Sequence, residues 1–319
     1  MLTKENLLLK NYFGMKNKIM NKQEFLNGRI TLYNGDCMEF MENMQDKVDL
    51  VLTDPPYNLL NHKIETNINI ELFLKLCKKI LNDNDFLIYF GQQPMITDWN
   101  YLANKLFNYK NEIIWYKRSG SCPFAEMQRV FENIMIYCNG NKKYNNIKIR
   151  YTDILDNMCE FMSLKSFKKN INFLENLCKE NRIFELKDFL DNKVLFKKYN
   201  SAENGKIFKQ KQRISAEISV FKFFKDGFGL RNLVSFSSKH TDGVLYNHPT
   251  IKPLELIEYL ILTCSQPNDL VFDGFAGSGS TAIACIKNNR RFIGCELDKE
   301  YFDIACKRID EELKQGSLL

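Results

Sequence analysis

The chain has 319 residues and 45% hydrophobic content, with 45 Lys and Arg against 39 Asp and Glu for a formal charge of +6. That length suffices for one α/β domain plus an inserted module. No apolar stretch approaches the roughly 20 residues that a bilayer-spanning helix needs. Ten cysteines occur, with no C-x-x-C pair and no secretory leader ahead of them, so they read as thiols in a reducing, cytoplasmic compartment. The three histidines, His62, His240 and His248, have no second His, Cys or acid at ligand spacing, and no metal is expected.

In chain order, residues 1–24 read as a Lys- and Asn-rich N-terminal extension with no functional signal. Short apolar runs of strand length follow at Ile30–Tyr33, Val48–Thr53, Phe86–Phe90, Ile113–Tyr116, Asn133–Tyr137, Leu270–Asp273 and Arg291–Cys295. Helical spacing is carried by Ile68–Leu81, Ile96–Phe107, Leu254–Thr263, Thr281–Lys287 and Glu300–Glu312. Such alternation predicts an α/β fold, a doubly wound, mainly parallel seven-stranded sheet with helices on both faces. Between Tyr151 and Phe196 the pattern turns helical, with Leu and Phe recurring at three and four residues and lysines between them. Domain boundaries are accordingly expected at 1–24, 25–140, 141–240 and 241–319, the third being a largely helical insertion.

Two motifs carry chemistry. Directly behind the run Val48–Leu52 stands Asp54-Pro55-Pro56-Tyr57, an acid, a rigid turn and an aromatic face brought together. The prolines fix φ and remove two N–H donors, leaving their carbonyls as acceptors. Such a set suits a flat ring bearing an amino group. Near the other end, Asp269–Asp273 runs into Gly274-Phe275-Ala276-Gly277-Ser278-Gly279-Ser280-Thr281 and a helix, and the next strand ends on Glu296. A Gly-rich turn followed by an acidic strand end lets a nucleoside lie on backbone while a carboxylate takes its ribose hydroxyls.

Taken together, these motifs resemble those of the S-adenosylmethionine-dependent methyltransferases of exocyclic amino groups on DNA bases. Asp54 to Tyr57 match that family's (D/N/S)-P-P-(Y/F/W) motif in full. Asp273 to Thr281 match its D-P-F-x-G-S-G-T-T motif, except for Gly274 in place of Pro and Ser280 in place of Thr. The order, catalytic motif first and cofactor motif last, resembles the β class, whose target-recognition region lies between them. Asp36, in Thr31–Cys37, resembles the acid that contacts the cofactor adenine, and His248-Pro249-Thr250-Ile251-Lys252-Pro253 resembles the segment that closes over its methionine end.

The resemblance implies a Rossmann-like methyltransferase fold and adenine-N6 methylation of a flipped-out base, with cytosine-N4 methylation as the alternative, since Asp-Pro-Pro goes more often with adenine. Asp54, Pro55, Pro56 and Tyr57 are the implied catalytic residues. Asp36, Lys252, Asp273, Phe275, Gly277, Ser278, Gly279 and Glu296 are the implied cofactor-binding residues. Double-stranded DNA is the implied partner, and no membrane is. A homodimer and a cognate restriction endonuclease on a separate chain are both compatible with the family. Between Asn141 and His240 there are 21 Lys and Arg against 11 Asp and Glu, a net +10 in a chain that totals +6. This insertion therefore carries the charge expected of a surface for a phosphate backbone.

Overall fold

The computed structural model describes residues 20–57, 68–117, 130–145, 232–236 and 251–316. All of them belong to the unit formed by residues 1–145 and 231–319, one of two into which the chain divides. Its strands are β1 (Asn21–Phe25), β2 (Ile30–Asn34), β3 (Val48–Thr53), β4 (Leu81–Gly91), β5 (Asn108–Tyr116), β6 (Phe131–Cys138), β7 (Leu233–Ser235), β8 (Leu270–Asp273) and β9 (Arg291–Glu296). The helices are α1 (Cys37–Asn43), α2 (Ile70–Ile80), α3 (Met95–Ala103), α4 (Leu254–Cys264), α5 (Ser280–Lys287) and α6 (Lys299–Gly316).

The strands form one sheet in the order β1-β2-β9-β8-β3-β4-β6-β5-β7. Seven of them run the same way, while β1 and β6 are reversed. The crossover β3–α2–β4 leads one way from the central pair β3 and β8, and β8–α5–β9 leads the other. That reversal opens a crevice at the carboxyl ends of β3 and β8, where ligands bind in open α/β sheets.

Burial on both faces follows from the alternation of side chains along each strand. On β4, Phe86, Ile88 and Phe90 join one core cluster with α4, α5 and α6, whereas Leu87 and Tyr89 join the other with α1, α2 and α3. The helices form for local reasons. In α2, Leu72, Phe73, Leu76, Cys77 and Ile80 make a continuous buried stripe. The Asn69 side chain accepts from Leu72 N at its start, and Lys78 and Lys79 sit in the last turn, where they complement the helix dipole.

The sheet has nine strands against the seven expected. Strand β1 begins inside the stretch read as an N-terminal extension, and β7 inside the insertion 141–240. In β1, four of five side chains are exposed, so no apolar alternation announces it, and β7 has only three residues. Helix α1 has no clear sequence signal either, being seven residues long with only Cys37, Met38 and Met41 buried. Strand β5 pairs antiparallel with β6, and β7 lies beyond it at the edge. The helical pattern at Tyr151–Phe196, all three histidines and Pro249 lie outside the described residues.

The Gly-rich turn is locked to α6. Gly279 adopts φ +83°, and a Cβ there would come within 3.1 Å of Ala305 Cβ and 3.3 Å of Ala305 Cα. Gly279→Ala should therefore destabilise the fold by about 1–2 kcal/mol from the left-handed backbone alone, with the crowding adding to it. Urea unfolding followed by circular dichroism checks this, and a midpoint equal to the parent's would show that the turn can relax.

Candidate active site

The site lies at the carboxyl ends of the parallel strands. Asp273, the last residue of β8, is 4% exposed, and both oxygens of its carboxylate accept hydrogen bonds. Oδ1 accepts from Thr53 Oγ1 at 2.8 Å and from Phe275 N at 3.0 Å, while Oδ2 accepts from Thr281 Oγ1 at 2.7 Å. One acid thus joins the end of β3, the turn after β8 and the start of α5. Burial pushes its carboxyl up to about 6.

The turn itself is shaped by its glycines. Gly277, at φ +52°, donates its N–H to Glu296 Oε2 at 2.8 Å. Glu296 closes β9, and its Oε1 accepts from Asp298 N at 2.8 Å. Each carboxylate oxygen thus accepts a backbone N–H and keeps acceptor capacity for a further donor. Burial pushes Glu296 up to about 7. Asp36 follows β2, the neighbour of β9, and its Oδ1 caps α1 by accepting from Met38 N at 2.8 Å. Phe275 packs on Phe73 with ring centroids 5.4 Å apart. Ser278 is buried and turned toward α6, where Arg308 Nη1 donates to its carbonyl at 2.6 Å and to its hydroxyl at 2.8 Å. Gly274, where the resembled motif has Pro, would bring a Cβ within 3.3 Å of Cys37.

Next along the crevice stand Asp54 and Tyr57. The Tyr57 hydroxyl donates to Asp54 Oδ1, and the ring lies 6.1 Å from that of Trp99. Lys252 donates to Asp54 Oδ2. The structure therefore places Lys252 with the acid of the catalytic motif, although the resemblance implied a cofactor contact. Its ammonium also lies 3.4 Å from Glu132 Oε2 and 5.0 Å from the Phe90 ring.

Glu132 escaped the sequence reading. It lies near the start of β6, and because β6 runs against its neighbours, that start sits at the same end of the sheet as Gly91 and Tyr116, at the ends of β4 and β5. Glu132 Oε1 accepts from Gln92 Nε2 at 2.9 Å and from Lys117 Nζ at 2.5 Å. A charged residue second in a strand that is otherwise apolar but for Asn133 was the available signal.

Electrostatics divide the two acids. Burial pushes the Asp54 carboxyl above its ordinary value and Glu132 adds to this, while Lys252 and Tyr57 oppose it. For Glu132, burial acts upward too, but the Lys252 and Lys117 ammoniums overcome it and hold the carboxyl below its ordinary range. Burial disfavours the charge on Lys252, yet Asp54 and Glu132 hold its ammonium above the usual lysine range. The Asp54 side chain is 26% exposed, against 10% for Lys252 and 7% for Glu132. Asp54 is thus the acid that an incoming group can reach.

Among the described residues, no group of three or more His, Cys, Asp or Glu is placed to hold a metal ion. No helix among them is long and apolar enough to cross a membrane. The seven described cysteines are free thiols, six of them buried.

Comparison with known proteins assigns the family. Residues 48–307 match the model of the N6/N4 DNA methylases. The orphan methyltransferase M.BamHII of Bacillus amyloliquefaciens is 27% identical over 270 residues, covering 84% of this chain and 91% of its own. The type II methyltransferase M1.MboII of Moraxella bovis is 28% identical over 293 residues, covering 86% and 94%. The DNA adenine methyltransferase YhdJ of Escherichia coli K12 is 23% identical over 300 residues, covering 90% and 84%. Among solved structures, the M1.HpyAVI–SAM complex shares the fold with a TM-score of 0.52 at 22% identity, covering 88% of this chain and 98% of its own. The cytosine-N4-specific PvuII DNA methyltransferase does so with a TM-score of 0.50 at 15% identity, covering 89% and 91%. With the family model spanning both the Asp54 motif and the Gly-rich turn, this chain belongs to the S-adenosylmethionine-dependent N6-adenine/N4-cytosine DNA methyltransferases.

Proposed function

We propose that this DNA methyltransferase methylates N6 of adenine in double-stranded DNA, on a base flipped out of the helix. The observation that carries the reading is Asp54, a partly exposed carboxylate hydrogen-bonded to Tyr57 at the switch point of the sheet. The exocyclic amine of adenine is a weak nucleophile because its lone pair is delocalised into the ring. Asp54 and the Pro55 carbonyl accept its hydrogens and turn the lone pair out of conjugation. Positive charge then builds on the nitrogen, and a fixed carboxylate beside it stabilises that charge. Burial and Glu132, which raise the Asp54 carboxyl, also make it a better acceptor for the departing proton than an ordinary aspartate. Tyr57 supplies a stacking face for the flipped base, its hydroxyl tied to Asp54. The rigid Pro55-Pro56 turn holds both at one spacing.

The residues of the turn suit S-adenosylmethionine, which when bound supplies a methyl group on a sulfonium. Glu296 would accept from the ribose hydroxyls on its remaining lone pairs, Gly277 would let the ligand approach backbone, Phe275 would pack on it and Asp36 would accept from its adenine. Asp273, Ser278 and Gly279 would act by fixing the turn, through Thr53 and Thr281, Arg308, and Ala305 respectively. The basic segment 141–240 would hold the DNA and serve as the target-recognition module.

Asp54→Ala should abolish methyl transfer while S-adenosylmethionine affinity stays within about a few fold. Nucleoside digestion and mass spectrometry of DNA from a methylation-free host expressing the parent should show N6-methyladenine. N4-methylcytosine in its place would move the target to cytosine, and near-parent turnover by the variant would remove Asp54 from catalysis.

Glu296 sets a pH dependence. With its carboxyl near 7 in the free protein, ribose hydroxyls that donate to it must displace a proton below that value. Affinity for S-adenosylmethionine should rise with pH, by up to about tenfold per unit below 7, and level off above it. Isothermal titration from pH 6 to 8 checks this, Glu296→Gln serving as the flat control.

DNA affinity should fall steeply with salt. Charge reversal of Lys197 and Lys198, or of Arg213, should lower the slope of log affinity against log salt by about 0.9 for each phosphate left without its cation. Cofactor affinity should not change. Parent-like slopes in every variant would place the DNA surface elsewhere.

A further inference from the structure

Glu132 has no part in the methyl transfer itself, yet it sits on the lysine that holds the catalytic acid. Its Oε1 is saturated by Gln92 and Lys117, whereas Oε2 is buried and has no hydrogen-bond partner. Native structures rarely leave a buried carboxylate oxygen without a donor, and each such atom calls for a reason. The nearby donor is Lys252, whose ammonium stands 3.4 Å away, in ion-pair range without a hydrogen bond.

Asp54 shows the opposite condition. Oδ1 accepts from Tyr57 and Oδ2 from Lys252, so each oxygen already carries one donor before any target arrives and keeps one acceptor site. A target amine that donates to Asp54 therefore shares an oxygen with Tyr57 or with the lysine. An ammonium held against the same oxygen also opposes the positive charge that develops on that amine. An ammonium carries three hydrogens. An ordinary N–H···O distance is about 2.9 Å, so a shift of roughly half an ångström seats Lys252 on Glu132 Oε2.

We propose that Glu132 is a positioning residue: it takes up the Lys252 ammonium when a target amino group docks on Asp54, so that the negative charge of Asp54 serves the amine. The inference rests on the reading of Asp54 as the acceptor of that amine. Glu132 suits the role because it is nearly buried, stays ionised between two lysines, and has one acceptor oxygen already facing the ammonium. Neither Glu132 nor Lys252 needs to touch the base.

Full-length parent, Glu132→Gln, Lys252→Met and the double variant are assayed with S-adenosylmethionine and unmethylated genomic DNA as the probe. Activity in the parent and its absence in Asp54→Ala establish the underlying reading separately. Glu132→Gln should lower kcat about tenfold or more, with KM for both substrates within about threefold of the parent. With no acid to receive it, the lysine stays on Asp54. Adding Lys252→Met should then recover at least about fivefold of the lost kcat, because the competing ammonium is gone. A structural role alone would predict the reverse, a double variant no better than either single one. Parent-like kcat in Glu132→Gln, or no recovery in the double variant, overturns the proposal. Should Glu132→Gln fail to fold, Glu132→Asp decides. It keeps the charge but withdraws the acceptor by one methylene, so reduced kcat at unchanged KM supports the role and parent-like kcat overturns it.

Discussion

The carboxylate of Asp273 is the constraint on which the rest of the site depends. Buried at the end of β8, it accepts from Thr53 on β3, from Phe275 in the Gly-rich turn and from Thr281 on α5. Removing a carboxylate from water is unfavourable, and three short hydrogen bonds offset that cost only while all three donors keep their places. The motif segments are far apart in sequence, and this acid holds their ends together at the seam where the sheet changes direction. Thr53 immediately precedes Asp54, so the anchor of the turn also sets where the Asp54-Pro55-Pro56-Tyr57 motif begins.

Around that anchor, the topology decides which charges can meet. A purely parallel sheet would place the first residues of β6 at the far end, away from Asp54. Because β6 is reversed, Glu132 arrives at the carboxyl end beside Gln92 and Lys117. Lys252, two residues before α4, then spans Asp54 and Glu132. Two carboxylates and two ammoniums balance in a space where any one of them alone would be costly to bury. The antiparallel strand thus does more than extend the sheet, since it supplies the second acid that the cluster needs for neutrality.

How much of this could be read in the sequence depended on burial. Strands β3 and β8 were legible to the residue, because central parallel strands are covered on both faces and read as near-continuous apolar runs, interrupted within β3 only by Asp49. Strand β1 was not, since its outward polar side chains leave no alternation, and its place follows only from pairing with β2. The closeness of Asp54 and Tyr57 was legible because these neighbours in sequence are also neighbours in space. Lys252 stands out in sequence through the segment around it, but its ion-pair partners do not. Its partners Asp54 and Glu132 come from remote parts of the chain, and no local pattern encodes an ion pair across two strands.

The same distinction bears on the glycine-rich turn. Its sequence reads as backbone on which a nucleoside lies, and the structure shows what shapes that backbone: the Ser278 hydroxyl and carbonyl accept from Arg308, and Gly279 sits against Ala305. These contacts make α6 a support of the turn, so the position of the Gly277 N–H, and through it the aim of Glu296, depends on a helix that carries none of the motif residues. The helix spans the turn because β9 returns it to the face that also holds α5. The shape of the turn is therefore a product of tertiary packing. The motif specifies only the residues small enough to permit it.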